Sequence, residues 1–419
     1  MFSLPFNLRD LPQPAYVVGG WVRDRLLQRV RPHVDIDLVL PHDAIATAEA
    51  IARAHRAGFV VLDAQRQIAR VVFARATVDF AAQVGQTLEE DLQRRDYTMN
   101  AIAIACQDLA AHDETLGGDH LLFESKCIDP YDGITDLHAR LVRMVCVDNL
   151  REDPLRLLRG YRQAAQLGFN LEPKTQQALQ ALGQELRFVA AERVRMELSY
   201  LLATDRGAHW LGTAIKDGVL QAWLRQGEIE LARLAAIDGY LQQIQETYPA
   251  AAESLAKHLT HERSVLVITK LIALAKYATT LEPLALGRQE QRLVVMVLRN
   301  LAKFQSLLTS KIITAAAQYE IFQAAQEFFP SLAAVALAGG SAWADVVPWL
   351  ERWADPHDGI AHPQTLITGA ELQTELGIGA SPRLGQLLAA LRLAQVNGEI
   401  NNRDTALSYA KSWWGKLNQ

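Results

Sequence analysis

The stretch Tyr16–Leu40, "YVVGGWVRDRLLQRVRPHVDIDLVL", decides how the chain is read. Two adjacent glycines, Gly19 and Gly20, stand between an apolar β-type run and an arginine-rich segment of helical spacing. Two aspartates then sit one residue apart within Val34–Leu40. Successive side chains of a strand alternate between faces, so Asp35 and Asp37 leave on one face while Ile36 and Leu38 point to the other. A strand this apolar is expected to be buried, and an unpaired buried carboxylate is very costly, so something must neutralise the pair. A divalent cation suits that spacing. Mg²⁺ is held by a few carboxylates together with phosphate oxygens, and two such ions can clamp the attacking and leaving oxygens of a phosphoryl displacement. The glycines supply the complement, because backbone N–H groups at a helix N-terminus can approach a triphosphate closely, with Arg23 as a charge clamp. The plain alternative is a Gly-Gly turn and two surface aspartates.

The 419 residues, half of them hydrophobic, are enough for two or more domains with their own cores. A formal net charge of −5 excludes global basic character, so any RNA site must be a local patch on a mildly acidic body. Cys106, Cys127 and Cys146 have neither CxxC spacing nor an even count, which suits a reducing compartment and small core residues. The N-terminus, "MFSLPFNLRDLPQP", has no signal-peptide pattern, and no window reads as apolar enough to span a bilayer. A cytoplasmic protein without a membrane partner is expected. Short Val- and Ile-rich runs fill the first third: "AYVVGG", "VDIDLVL", "GFVVLDA", "IARVVFA", "ATVDFAA" and "MNAIAIA". From Asn149 onward nearly every segment has helical spacing. The expected fold is α+β, a mixed α/β head with a small sheet followed by all-α domains.

Two further motifs carry chemistry. "LEEDLQRRDYTMNAIA" (Leu88–Ala103) contains an Arg-Arg-Asp cluster, which standing alone reads as a helix-surface salt-bridge group. "REDPLRLLRGYRQAAQLGF" (Arg151–Phe169) places Asp153, Arg156, Arg159 and Arg162 in an i+3 series, while Leu157, Leu158, Ala164, Ala165 and Leu167 bury the other side. Asp153 before Pro154 also makes a good helix N-cap.

"GGWVRD" followed by "DID" resembles the signature of the polymerase-β-like nucleotidyltransferases, and the two further motifs resemble those of class II tRNA nucleotidyltransferases and bacterial poly(A) polymerases. The resemblance implies a head (1–137, with its catalytic carboxylates), a helical neck (138–216), a body (217–365) and a tRNA-binding tail (366–419). It implies Asp35 and Asp37 as catalytic metal ligands, with Asp79 of "TVDF" as a candidate third carboxylate beside Glu89 or a purely structural role. It implies a nucleotide-binding set of Gly19, Gly20, Arg23, Asp24, Arg95, Asp96 and Asn100, Asp96 accepting from the ribose 2′-OH. Asp153 and Arg156 would read the Watson–Crick edge of the incoming base in place of a nucleic-acid template. The chemistry agrees, since a carboxylate accepts from the cytosine N4 amino group and a guanidinium donates to cytosine O2 and N3. Arg159 and Arg162 would serve the triphosphate or the primer end, and Glu152, Glu192, Arg193 and Glu197 would brace the template helix. "DPYDGITDL" (Asp129–Leu137) is similar to the family's hinge, with Asp132 where a second glycine is usual. The last fifty or so residues resemble the tail that grips the tRNA elbow, with Gly369, Gly377 and Gly385 at turns.

Members that add all of CCA carry a long flexible loop before the sugar-selecting motif, whereas here only "AAQVGQT" separates "VDF" from "LEEDL". The shortening implies an enzyme that adds two cytidines from CTP and stops. Full CCA addition, A addition with ATP, and poly(A) synthesis are the alternatives within the family. An antibiotic-modifying nucleotidyltransferase fits the long helical region poorly, and an inactive RNA-binding protein fits the intact aspartate pair poorly. Mg²⁺, tRNA and CTP are the expected cofactor and partners, with ATP as a second nucleotide and no DNA. "HLTHERSVLVITKLIALAKY" lacks a His-Asp dyad and His357-Asp358 stands alone, so no metal phosphohydrolase is expected.

Overall fold

The computed structural model describes residues 5–416 apart from 31, 112–119, 226, 261 and 262. His261 and Glu262 of the "HLTHER" segment and the first four residues therefore lie outside the described residues. The chain forms two compact units, one of Met1–Leu201 with Thr213–Ala222, the other of Leu202–Gly212 with Trp223–Gln419.

The first unit is built on a seven-stranded mixed sheet. Its strands are β1 (Tyr16–Val18), β2 (Val34–Leu40), β3 (Gly58–Asp63), β4 (Ile68–Val72), β5 (Ala76–Ala82), β6 (Ala103–Ala105) and β7 (Cys127–Ile128), in the order β3-β4-β5-β2-β1-β6-β7. Only β2 and β5 run parallel. Every β-type run of the sequence contains a strand; on β2, β4 and β5 alternate apolar residues are buried, whereas the apolar residues of β3 are exposed. On β2, Ile36 and Leu38 are buried while Asp35 is exposed and Asp37 half-buried, so the face opposite the aspartates supplies the core. The expectation of a wholly buried strand thus holds for Asp37's surroundings and not for Asp35.

Helices of the described residues that accompany the sheet are α1 (Gly20–Leu26), α2 (Ala44–His55), α3 (Leu88–Gln93), α4 (Cys106–Ala111), α5 (His120–Ser125), α6 (Gly133–Ala139), α7 (Val147–Glu152), α8 (Leu155–Leu167), α9 (Pro173–Leu182) and α10 (Ala191–Leu202). In α8 Leu157, Leu158, Ala164 and Ala165 are buried and Leu167 is half-buried, as the spacing predicts. The helix begins one residue later than the capping argument has it, at Leu155, but the Asp153 carboxylate still accepts from the Leu155 N–H (3.2 Å). One two-residue parallel pair, Leu141–Val142 with Asn170–Leu171, interrupts the helical region where no strand is expected.

The hinge-like motif has a local explanation. Both Asp129 carboxylate oxygens accept backbone N–H groups, from Gly133 and Ile134, each at 2.8 Å. Gly133 has no room for a side chain, since a Cβ there would lie 2.3 Å from the Thr98 carbonyl oxygen. Asp132 occupies the left-handed region (φ 56°, ψ 30°), where aspartate is tolerated and glycine is favoured. Asp132→Gly is expected to change the unfolding free energy by less than about 1 kcal/mol, and Asp132→Val to cost about 1–2 kcal/mol. Denaturant unfolding of the two variants checks this.

The described part of the second unit is helical. Ala315–Ala338 is long and apolar enough to cross a membrane by length and composition, which corrects the reading that no window is. It is a core segment instead: 67% of its apolar window is buried, and a 3₁₀ turn at Gln326–Phe328 divides it. In the tail, Gly377 ends the Gly369–Leu376 helix in the left-handed region, as a turn glycine should. Gly369 opens that helix and Gly385 lies within Pro382–Val396, so neither is at a turn.

Candidate active site

The β1–α1 junction brings glycine and acid together. Gly19 adopts φ 74° and ψ −133°, a conformation open essentially to glycine alone. A Cβ on it would lie 2.9 Å from Arg95 Nη1 and 3.2 Å from Asp37 Oδ2. Gly19 donates its own N–H to the Ile102 carbonyl (3.0 Å), so the unbonded amides of the helix start begin at Gly20.

Neither the Asp35 nor the Asp37 carboxylate accepts a hydrogen bond or ion pair from the described residues. Burial pushes the Asp37 carboxyl above its ordinary pKa, Asp79 and Asp35 add to the rise, and Arg95 and Arg159 oppose it. Two hard, uncompensated carboxylates on one strand face fit a divalent cation, the remaining ligands coming from phosphate or water. Among the described residues no group of three His, Cys, Asp or Glu side chains is placed to hold a metal. Asp79 sits beside Asp37 on β5, and Arg70 of β4 holds both its oxygens at 2.7 and 2.8 Å, so its charge is already paired. The candidate third carboxylate is a member of an ion pair.

Behind the pair lies a buried polar network. Asp96, 6% exposed, accepts from Tyr97 N–H and Asn100 Nδ2 on one oxygen and from Arg159 Nε and Gln163 Nε2 on the other. Burial works against its charged form, yet Arg159, Asn100 and the Tyr97 amide bring its pKa down to about 2. With four donors on two oxygens its acceptor sites are filled, so a ribose hydroxyl would have to displace one of them. Asn100 receives Arg23 Nη1 (2.7 Å) and donates to Gln163 (2.9 Å). Arg23 is buried and also grips Asp24, so it orders the network and is not a free clamp. Arg159, held well above its ordinary pKa chiefly by Asp96, and Arg162 both reach the buried Glu197. Glu197 thereby ties α10 to α8, and Arg193 makes a second tie through Asp153 Oδ2 (2.9 Å). Glu192 does not. It is exposed and has no partner among the described residues, because five positions along a helix from Glu197 turn it about 140° away. Glu152 pairs with Arg94 and not with the template helix (3.1 Å).

Two cavities meet here. One, of about 580 Å³, is lined by Gly19, Gly20, Asp35 and Asp37; the other, of about 770 Å³, by Asp153 and Arg156. Arg95, Asp96 and Arg159 line both. Arg95 has a buried Nε without a hydrogen-bond partner, a donor that a phosphate oxygen would satisfy. Arg156 donates to the Asn149 carbonyl (3.0 Å), and Tyr97 Oη donates to the Arg156 carbonyl (2.6 Å), which fixes the helix that carries the pair. Asn149 also clamps the Gln93 and Arg95 carbonyls. Arg70, Tyr97, Asn149 and Gln163 are the contributors that sequence reasoning missed.

The short connection Gln83–Thr87 forms part of the second cavity's wall through Gln83, Val84 and Gly85. It is pinned: Val84 N–H donates to the Asp91 carboxylate (3.0 Å), Gln86 N–H to Glu90 (2.6 Å), and the Thr87 side chain caps α3.

Uncompensated acid in one cavity, a fixed carboxylate and guanidinium in the next, and cations where the two join are what nucleotidyl transfer requires; the class is that of a nucleotidyltransferase. Residues 15–143 match the poly A polymerase head domain, 168–229 the probable RNA and SrmB-binding site of polymerase A, and 259–410 the putative domain 2 of tRNA nucleotidyltransferases. The chain is 40% identical over 417 residues to a CC-adding tRNA nucleotidyltransferase of Synechocystis, covering 98% of this chain and 96% of that one. An A-adding tRNA nucleotidyltransferase of Deinococcus radiodurans is 28% identical over 99% and 98% of the two chains. A CCA-adding enzyme solved with ATP has the same fold, with a TM-score of 0.71 at 19% identity over 96% of this chain and 91% of that one. The chain belongs to the tRNA nucleotidyltransferase and poly(A) polymerase family, whose members work with a divalent metal ion.

Proposed function

We propose that this enzyme adds CMP from CTP to the 3′ end of tRNA, twice, and stops. The observation that carries the choice among family activities is the pinned Gln83–Thr87 connection, which leaves a short, fixed wall beside the base cavity. Similarity to the Synechocystis CC-adding enzyme supports the same reading. In this reading residues 1–137 are the catalytic head, 138–216 the neck, 217–365 the body and 366–419 the tRNA-binding tail, and the enzyme works in the cytoplasm.

In this reading CTP lies across the junction of the two cavities. Asp153 accepts from the cytosine N4 amino group and Arg156 donates to O2 and N3, while Arg193 and Asn149 hold the two side chains in place. Arg95 and the α1 amides from Gly20 onward receive the triphosphate. Asp96, anchoring Arg159 and Asn100, keeps that wall from rearranging. Asp35 and Asp37 would hold Mg²⁺, which would supply charge neutralisation at the phosphates and a lowered pKa at the primer 3′-hydroxyl. On α8 Arg159 and Arg162 are balanced by Asp96 and Glu197, so the positive potential this helix offers an RNA end comes from Arg156, which has no ion-pair partner among the described residues.

Arg156→Ala is expected to narrow the preference for CTP over other nucleotides by about 5- to 150-fold, the worth of one good bidentate contact to a base. The KM for tRNA should change far less; equal losses for all nucleotides would contradict the template role. The reading as a whole is tested with Mg²⁺ and tRNA transcripts ending at the discriminator base, C or CC, supplied with CTP, ATP or both, and sequencing of product 3′ ends. Two cytidines and no adenosine is the expected product. A terminal adenosine on the CC-ending transcript would overturn it.

A further inference from the structure

The cavity that holds the acidic pair extends past the groups used by the nucleotide. Its lining also includes Arg25, Arg29, Arg162, Gln166 and Tyr200. Tyr200 lies on α10, three residues beyond the buried Glu197 that fixes Arg162. The residue is 44% exposed, and its hydroxyl has no hydrogen-bond partner among the described residues. Trp21, another aromatic residue on this cavity, is only 5% exposed and belongs to the core. Tyr200 thus leaves a large aromatic face open in a polar, cation-lined space. Arg29 is exposed nearby, and its guanidinium has no ion-pair partner among the described residues.

Nucleotidyl transfer needs a second substrate in this cavity. The attacking hydroxyl must come within about 3–3.5 Å of the reacting phosphorus, so the last nucleotide of the primer has to enter beside Asp35 and Asp37. That nucleotide brings an unpaired base and a phosphate. Its base also changes between rounds, from the discriminator to cytosine, so a hydrogen-bonding reader would suit one round and fail the other. An aromatic face tolerates any base, because every base has a π-face.

We propose that Tyr200 is the stacking platform for the 3′-terminal base of the RNA primer, with Arg29 on that nucleotide's phosphate. The proposal rests on the reading above that the second substrate is an RNA 3′ end. It makes Tyr200 a substrate-binding residue on the side of the acidic pair away from the base cavity. The ring does the work, and the hydroxyl is dispensable.

The test is steady-state CMP addition by the full chain with Y200A, Y200L and Y200F, varying tRNA and CTP separately, each variant's folding checked by thermal melting. Y200A and Y200L are expected to raise the KM for tRNA about 5- to 150-fold, the range of one base–aromatic stack, while the KM for CTP stays within about twofold. Y200F should restore the tRNA KM to near the wild-type value. Y200L keeps apolar bulk without an aromatic face, so it reads the stack even if Y200A folds poorly. A wild-type tRNA KM in Y200L, a CTP KM that rises in step, or a Y200F as impaired as Y200L would each overturn the proposal. Wild-type protein that adds no CMP would instead overturn the proposed function.

Discussion

Asp37→Asn is expected to lower CMP transfer by about 10³-fold or more while leaving the metal-free protein at least as stable as the wild type. The activity loss follows from removing one of two carboxylates that would hold the ion; several kcal/mol of transition-state stabilisation at 1.36 kcal/mol per tenfold gives that scale. The stability effect has the opposite sign because the wild-type site is electrostatically frustrated. Burial, and then the neighbouring Asp79 and Asp35, raise the Asp37 pKa above its ordinary value. A carboxyl with a higher pKa in the folded state binds its proton more tightly there than in the unfolded chain. The cost of ionising it therefore builds as pH rises from the ordinary carboxylate range through the raised value, and is full above that value. Asparagine removes this cost at neutral pH. Thermal melts with and without divalent ion make the check sharper: the wild type should gain Tm with the ion, and Asp37→Asn should gain little. A variant that melts well below the wild type without metal would show that the carboxylate is structural.

Gly19→Ala is expected to reduce transfer by about 10²-fold and to destabilise the fold by about 1–3 kcal/mol. The backbone there has φ 74°, and the added methyl would press on Arg95 Nη1 and Asp37 Oδ2. Arg95 is a side chain end and can yield, but yielding moves the one cation whose buried Nε lacks a partner at the junction of the cavities. Gly20→Ala makes the control. A Cβ at Gly20 meets only Arg23 Nη2, at 3.6 Å, and the residue opens a helix, where alanine is well accommodated. Rates and denaturant midpoints of the two variants should therefore separate; similar losses would mean that the backbone conformation of Gly19 is not what matters.

The parts of this site legible in the sequence are those written in local period. Asp35 and Asp37 alternate with Ile36 and Leu38, so period 2 alone puts the acids on one face. Asp153 to Arg162 repeat at helical spacing, so their common face follows as well. What the sequence hides is pairing across distance. Whether Asp79 is free depends on the β4–β5 register that sets it opposite Arg70. Whether Asp96 is free depends on Gln163 and Arg159, 67 and 63 residues away. Motif resemblance places Glu192 and Glu197 together; helical spacing alone sets them about 140° apart, but which of the two faces the network depends on how α10 packs. The pins on Gln83–Thr87 were equally invisible, since a loop's length says nothing of which carboxylates hold its amides.

The Asp96 network has a consequence for how such a protein can change over generations. Arg23 and Asp24 come from α1, Asp96 and Asn100 from the segment after α3, Arg159, Arg162 and Gln163 from α8, and Glu197 from α10, yet each satisfies a neighbour's charge or amide. Altering any one of them alone strands a buried partner, so single-step drift at these positions is closed off. Exchange between lineages, or by an engineer, has to move the four stretches together, whereas Asp132 or the exposed Glu192 can vary by themselves.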